Sequence, residues 1–150
     1  MTELYFYHLQ QQSLEAVLPT LLEKSLERGW RVVVQAGSPE RIQVLDAHLW
    51  TYRESSFLPH GAMTGDAAAE QPIWLTTGEA NANGARVRVL LDGAPLPVDA
   101  DSYTRLMLIF DGNDPDAVDA ARAQWREAST RGLDVAYWQQ GDGGRWQLKT

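Results

Sequence analysis

The sequence predicts one α/β domain in which a mostly parallel sheet is covered by helices on both faces. Three observations carry that reading. Strand-like apolar runs alternate along the chain with stripes of helical period. Several of these runs are continuously apolar, as in strands buried on both faces. The 150 residues, 44% of them hydrophobic, suffice for one core and show no repeat or linker, so residues 1–150 form a single domain.

Glu3-Leu4-Tyr5-Phe6-Tyr7-His8 is β-prone and aromatic. Ser13 then stands where an N-cap belongs, ahead of Leu14, Val17, Leu18, Leu21, Leu22 and Leu26 on one helical stripe. Pro19 lacks a backbone donor and is expected to kink this helix or shift its start. Gly29 is a C′ stop, and Arg31-Val32-Val33-Val34-Gln35 is a buried strand, which completes a βαβ unit. Ser38-Pro39 caps a second helix whose stripe is Ile42, Leu45 and Leu49, ending near Trp50. Thr51 to Gln71 reads as irregular, a length that in compact domains is often functional.

Ile73-Trp74-Leu75-Thr76 and Val87-Arg88-Val89-Leu90-Leu91 are strands joined by a turn rich in Gly and Asn. Leu106 to Phe110 is a fully apolar strand. Asp111 to Asp114 is a turn, Pro115 fits the first helical position, and Asp116 to Arg131 is the third helix, stopped by Gly132. Leu133 to Trp138 returns as a strand, and Gly141 to Gly144 turns into a short last segment, Arg145 to Leu148.

Composition narrows the function. There are no cysteines, which removes disulfides and thiolate metal sites, and no apolar stretch approaches the ~20 residues of a membrane span. Met1 to Tyr5 lacks the basic start of a signal peptide, so a cytoplasmic location is expected. A net charge of −7 opposes strong direct binding to nucleic acid.

Motifs for catalysis are sparse. The turns at Gln35 to Ser38 and Phe110 to Asp114 occupy phosphate-binding places in α/β folds but lack the glycine spacing of a dinucleotide fingerprint or P-loop. His8, His48 and His60 sit on different elements without metal-ligand spacing, so no metal is expected, and no Gly-x-Ser-x-Gly is present. The rival to a binding protein is an enzyme acting on nucleotides or phosphoesters at the carboxyl ends of the strands.

Two aromatic clusters remain. Trp50, Tyr52 and the run Phe57-Leu58-Pro59-His60 either plug the core or form an exposed patch of the kind enriched at interfaces. Arg122, Trp125 and Arg126 share one face of the third helix. Trp125 continues the Val118 and Ala121 stripe and so reads as core, with arginines that are solvated or paired to Asp119 and Glu127. The sharper reading is a receptor for an acidic, apolar peptide, because guanidinium groups bind carboxylates bidentately and an indole can wall a pocket.

Tyr5-Phe6-Tyr7-His8-Leu9, Gly29-Trp30-Arg31-Val32, Leu49-Trp50, Ser56-Phe57-Leu58-Pro59-His60-Gly61, Gln71-Pro72-Ile73-Trp74-Leu75 and Ala121-Arg122-Ala123-Gln124-Trp125-Arg126 together resemble the chi subunit family of bacterial DNA polymerase III. The resemblance runs along essentially the whole chain. It implies a Rossmann-like three-layer fold without a nucleotide site, and an accessory role with neither catalytic residues nor cofactors. It further implies coupling of the clamp-loader assembly to single-stranded DNA-binding protein, through that protein's C-terminal tail of aspartates, Ile, Pro and Phe. By position, the tail site falls on Arg122, Trp125 and Arg126. A second interface, with the psi subunit or an equivalent partner, falls on Trp50, Phe57, Leu58, Pro59 and His60. Tyr137-Trp138 and Arg145 to Lys149 depart from the family pattern, so the resemblance assigns no far wall to the tail pocket.

Overall fold

A computed structural model describes residues 2–51, 60–62, 71–141 and 145–149, with the residues at 50, 51 and 60–62 described in their backbone only. The chain runs β1 (Glu3–Leu9), α1 (Leu14–Glu27), β2 (Val32–Gln35), α2 (Pro39–Thr51), β3 (His60–Ala62), β4 (Ile73–Thr76), β5 (Val87–Leu90), a 3-10 turn at Ala100–Ser102, β6 (Arg105–Asp111), α3 (Pro115–Thr130), β7 (Asp134–Gln140) and β8 (Trp146–Leu148). The strands form one sheet in the order β3-β4-β2-β5-β6-β1-β7-β8. All neighbours are parallel except β8, which returns antiparallel on β7.

Two cores lie on the two faces. Leu14, Val17, Leu18, Leu21 and Leu22 of α1 and Ile42, Leu45 and Leu49 of α2 pack on Tyr7, Leu9, Val32, Val34, Ile109 and their neighbours. Ala121 and Ala128 of α3, with Leu96, Ala100 and Tyr103, cover Leu4, Phe6, Val33, Leu106 and Leu108 on the other. Full burial of a Leu such as Leu18 or Leu22 is worth about 1.5–3 kcal/mol. The three-layer architecture is the expected one.

Helix boundaries follow local chemistry. Ser13 accepts from the Ala16 amide at 3.3 Å, and Gly29 adopts φ 78° just past α1, where its amide donates to Leu26 O and that of Trp30 to Ser25 O. Pro19 does not shift the start of α1, which begins at Leu14 and is continuous through the proline. Proline cannot donate to the carbonyl of Glu15 four residues back. His48 Nε2 of α2 donates to that oxygen instead, at 2.6 Å. The segment read as irregular from 51 to 71 contains β3, three residues paired with β4 at the sheet edge.

One buried group went unread. Arg88 on β5 is 0% exposed, and it forms no ion pair with a carboxylate among the described residues. Its Nε and Nη2 donate to Gln35 Oε1 at 3.0 and 2.7 Å, Nη2 to Gly78 O at 2.6 Å, and Nη1 to Tyr103 Oη at 3.1 Å. These neutral oxygens satisfy the guanidinium and tie β5 to β2 and to the turn after β4.

Candidate functional site

Helix α3 begins where the Asp114 carboxylate accepts from the Asp116 amide at 3.0 Å, with Pro115 in its first turn, and stops at Gly132, φ 73°. Small Ala121 and Ala128 seat it closely on the sheet. Trp125, half-buried between them, has its ring centroid 5.4 Å from Phe6 and 5.8 Å from Tyr137. Tyr137 stacks on Phe6 at 6.1 Å, as the β1–β7 register requires by placing the two residues side by side.

A pocket of about 420 Å³ opens beside Trp125. It is lined by Ala121, Arg122, Trp125, Arg126, Tyr137 and Lys149. Lys149 arrives through its own amide, which donates to Tyr137 O at 2.8 Å. Trp125 packs on the core with one side and walls the pocket with the other. The arginines are exposed and form no ion pair among the described residues, because Glu127 turns to Arg131 at 3.6 Å. Three cations thus surround an aromatic floor, an arrangement suited to an anion that carries an apolar group.

Tyr137, the far wall, is held from beneath. Its hydroxyl lies 2.5 Å from His8 Nδ1. Burial first, and then the positive charge of Arg122, hold the His8 pKa below its ordinary value, with Asp111 opposing them. Burial raises Tyr137, against the pull of Arg122, so a neutral phenol meets a neutral imidazole near pH 7. Gly112 abuts the ring. A Cβ there would sit 2.0 Å from His8 Cδ2 and Nε2.

The carboxyl ends of β1 and β6 form the other notable crevice, about 750 Å³, where α1 leaves for one face and α3 for the other. Doubly wound folds place ligands at such a point. Here Glu15, Asp92, Asp111, Asp114 and Asp116 line it, and its one arginine, Arg41, is already near Glu15 at 3.3 Å and Asp92 at 3.6 Å. The backbone amides of Gln10, Gln11 and Gln12, in the first strand-to-helix turn, all donate to Gln140 Oε1 at 3.0–3.2 Å. The protein's own buried carboxamide takes the amides that a phosphate would use. The carboxylates around it oppose a polyanion.

Of the second cluster, Phe57, Leu58 and Pro59 lie outside the described residues. Trp50 lies in the last turn of α2 and His60 begins β3, each described in its backbone only. Among the described residues no group of His, Asp and Glu could hold a metal, and no helix is long and apolar enough to cross a membrane.

The family model for "DNA polymerase III chi subunit, HolC" matches residues 1–136, which include β1, α3 and the Arg122, Trp125 and Arg126 face. The chain belongs to this family. Among curated proteins it is similar to a probable DNA polymerase III subunit chi of Rickettsia prowazekii, 29% identical over 91 residues, 61% of this chain and 55% of that protein. It is also similar to the DNA polymerase III subunit chi of Pseudomonas aeruginosa, 31% identical over 86 residues, 55% of this chain and 59% of that protein. The chain thus spans somewhat more than half the length of these chi proteins.

Sequence reasoning placed the α3 triplet but missed Tyr137, Lys149, His8 and Gln140. The signal for Tyr137 was its place in a strand whose alternate residues face opposite layers. Lys149 gave none, because only the β7–β8 pairing brings it to the pocket.

Proposed function

We propose that this chi-family chain is a non-catalytic accessory subunit of the polymerase III holoenzyme. It links the clamp-loader assembly to the acidic C-terminal tail of single-stranded DNA-binding protein. The observation that carries this reading is the pocket on α3, where Arg122, Arg126 and Lys149 stand around Trp125 and Tyr137 with neither arginine ion-paired among the described residues. The tail's Phe enters between indole and phenol, and its carboxylates lie on the guanidinium groups. With a net charge of −7, the chain is repelled from DNA and leaves DNA contact to its partner.

The second partner, psi or an equivalent, is assigned to the face around Trp50, Phe57, Leu58, Pro59 and His60. This rests on sequence resemblance alone. The experiment is association with intact single-stranded DNA-binding protein and with a form lacking its last ten residues. Binding of the intact protein only supports the reading; equal binding of both forms refutes it.

A further inference from the structure

On the opposite face of the sheet, a groove of about 390 Å³ runs between α1 and the strands β1, β6, β7 and β8. That volume is within the range of ligand pockets, about 300–1,000 Å³. Its long wall runs from Ala16 of α1 to the C-cap residue Arg28, roughly 18 Å at the helical rise. Its floor is aromatic: Tyr5 and Tyr7 of β1, Trp138 of β7 and Trp146 of β8. Leu148, beside Trp138 in the β7–β8 register, extends this apolar surface outward and is 53% exposed.

Cations gather at one end. Lys24 of α1 and Arg28, its C-cap, are exposed and have no carboxylate partner among the described residues. Arg105 bonds Glu3 at 3.0 Å, and its guanidinium lies 4.2 Å from the Tyr5 centroid and 5.2 Å from that of Trp30. The Arg28 guanidinium lies 5.2 Å from the same indole, so Trp30 holds two cations at the rim. Burial pushes Tyr7 up to about 12 and raises Tyr5, so neither phenol brings negative charge. In a chain with 13 Lys and Arg against 20 Asp and Glu, such a cluster selects an anion.

We infer that this groove binds a second acidic peptide segment bearing an aromatic or aliphatic anchor, independently of the pocket on α3. The anchor lies on Trp138 and Trp146 and the carboxylates on Lys24 and Arg28. Single-stranded nucleic acid fits less well. Tyr5 meets Tyr7 at 62° and Trp138 at 56°, and Tyr7 meets Trp146 at 80°, so the rings present edges to one another rather than a flat platform for stacked bases.

The probe is an acetylated hexapeptide of three aspartates, isoleucine, proline and phenylalanine, titrated calorimetrically into the full chain at low salt. Two equivalents are expected to bind the wild type and one the Arg122→Ala/Arg126→Ala variant. Lys24→Glu/Arg28→Glu lowers affinity at the groove at least tenfold and leaves the α3 site within twofold. Lys24→Arg binds as wild type, and circular dichroism checks the fold of each variant. A single equivalent lost with the α3 arginines and untouched by Lys24→Glu/Arg28→Glu overturns the inference. Displacement of the groove-bound peptide by oligo-dT at lower concentration also overturns it. A single equivalent lost only with Lys24 and Arg28 supports the groove and instead refutes the α3 reading.

Discussion

Gly112→Ala tests the link between core packing and the α3 pocket. The new Cβ would stand 2.0 Å from two atoms of the His8 ring and 2.7 Å from Leu9 O. Ordinary carbon contacts are about 3.5–4.0 Å, so the ring must retreat by roughly 1.5 Å. The Gly112 amide is pinned to Leu9 O at 2.7 Å and cannot yield instead. Such a retreat breaks the 2.5 Å bond from His8 to Tyr137 and loosens the far wall. Overpacking costs about 1–3 kcal/mol and the lost hydrogen bond about 0.5–1.5 kcal/mol. At 150 residues this lowers Tm by about 4–15 °C. Thermal and urea unfolding measure the loss, and a peptide titration should show weaker binding with it. On a His8→Ala background the same substitution meets only Leu9 O, so it should cost at least ~1 kcal/mol less. Equal costs in both backgrounds would show that the ring is not what Gly112 accommodates.

Other perturbations address separate features. Arg88→Ala leaves Gln35 Oε1 and Gly78 O buried without their donor and opens a cavity, so unfolding free energy should fall by about 3–5 kcal/mol; a loss below ~1 kcal/mol in urea would contradict the buried network. His48→Ala should cost about 1–2 kcal/mol by orphaning Glu15 O, and Pro19→Ala, which restores a backbone donor, should recover much of it; an absence of recovery would sink the compensation idea. His8 has a folded pKa below its unfolded value of about 6.5, so its contribution to stability is present above that pH and lost as pH falls through the folded pKa. His8→Asn should therefore flatten the decline in stability as pH falls below about 6.5 toward the folded pKa, and an unchanged slope in acid titration would rule that origin out.

What could be read from the sequence was local. Ser13, Gly29, Asp114, Pro115 and Gly132 announce helix ends because each acts on amides or carbonyls within one turn of itself. The α3 triplet was legible for the same reason, since residues three and four apart share a face. What escaped depends on distant pairing. Pro19 reads as a breaker until α2 brings His48 to Glu15. Arg88 is only a charged residue in an otherwise apolar strand until Gln35, Gly78 and Tyr103 converge on it. Tyr137 and Lys149 enter the pocket only through the registers of β7 on β1 and β8 on β7. The strand at 60–62 is too short to announce itself, and its pairing with β4 alone defines it.

Calorimetric titration of the acidic Ile-Pro-Phe-ended peptide into the wild-type chain and its Arg122→Ala and Arg126→Ala variants tests the central claim most directly. Micromolar binding is predicted, with each substitution costing about 1.5–3 kcal/mol and with only about 5–10-fold weakening by salt over the physiological range. No heat at low salt, or binding indifferent to both arginines, would contradict the assignment of the α3 pocket.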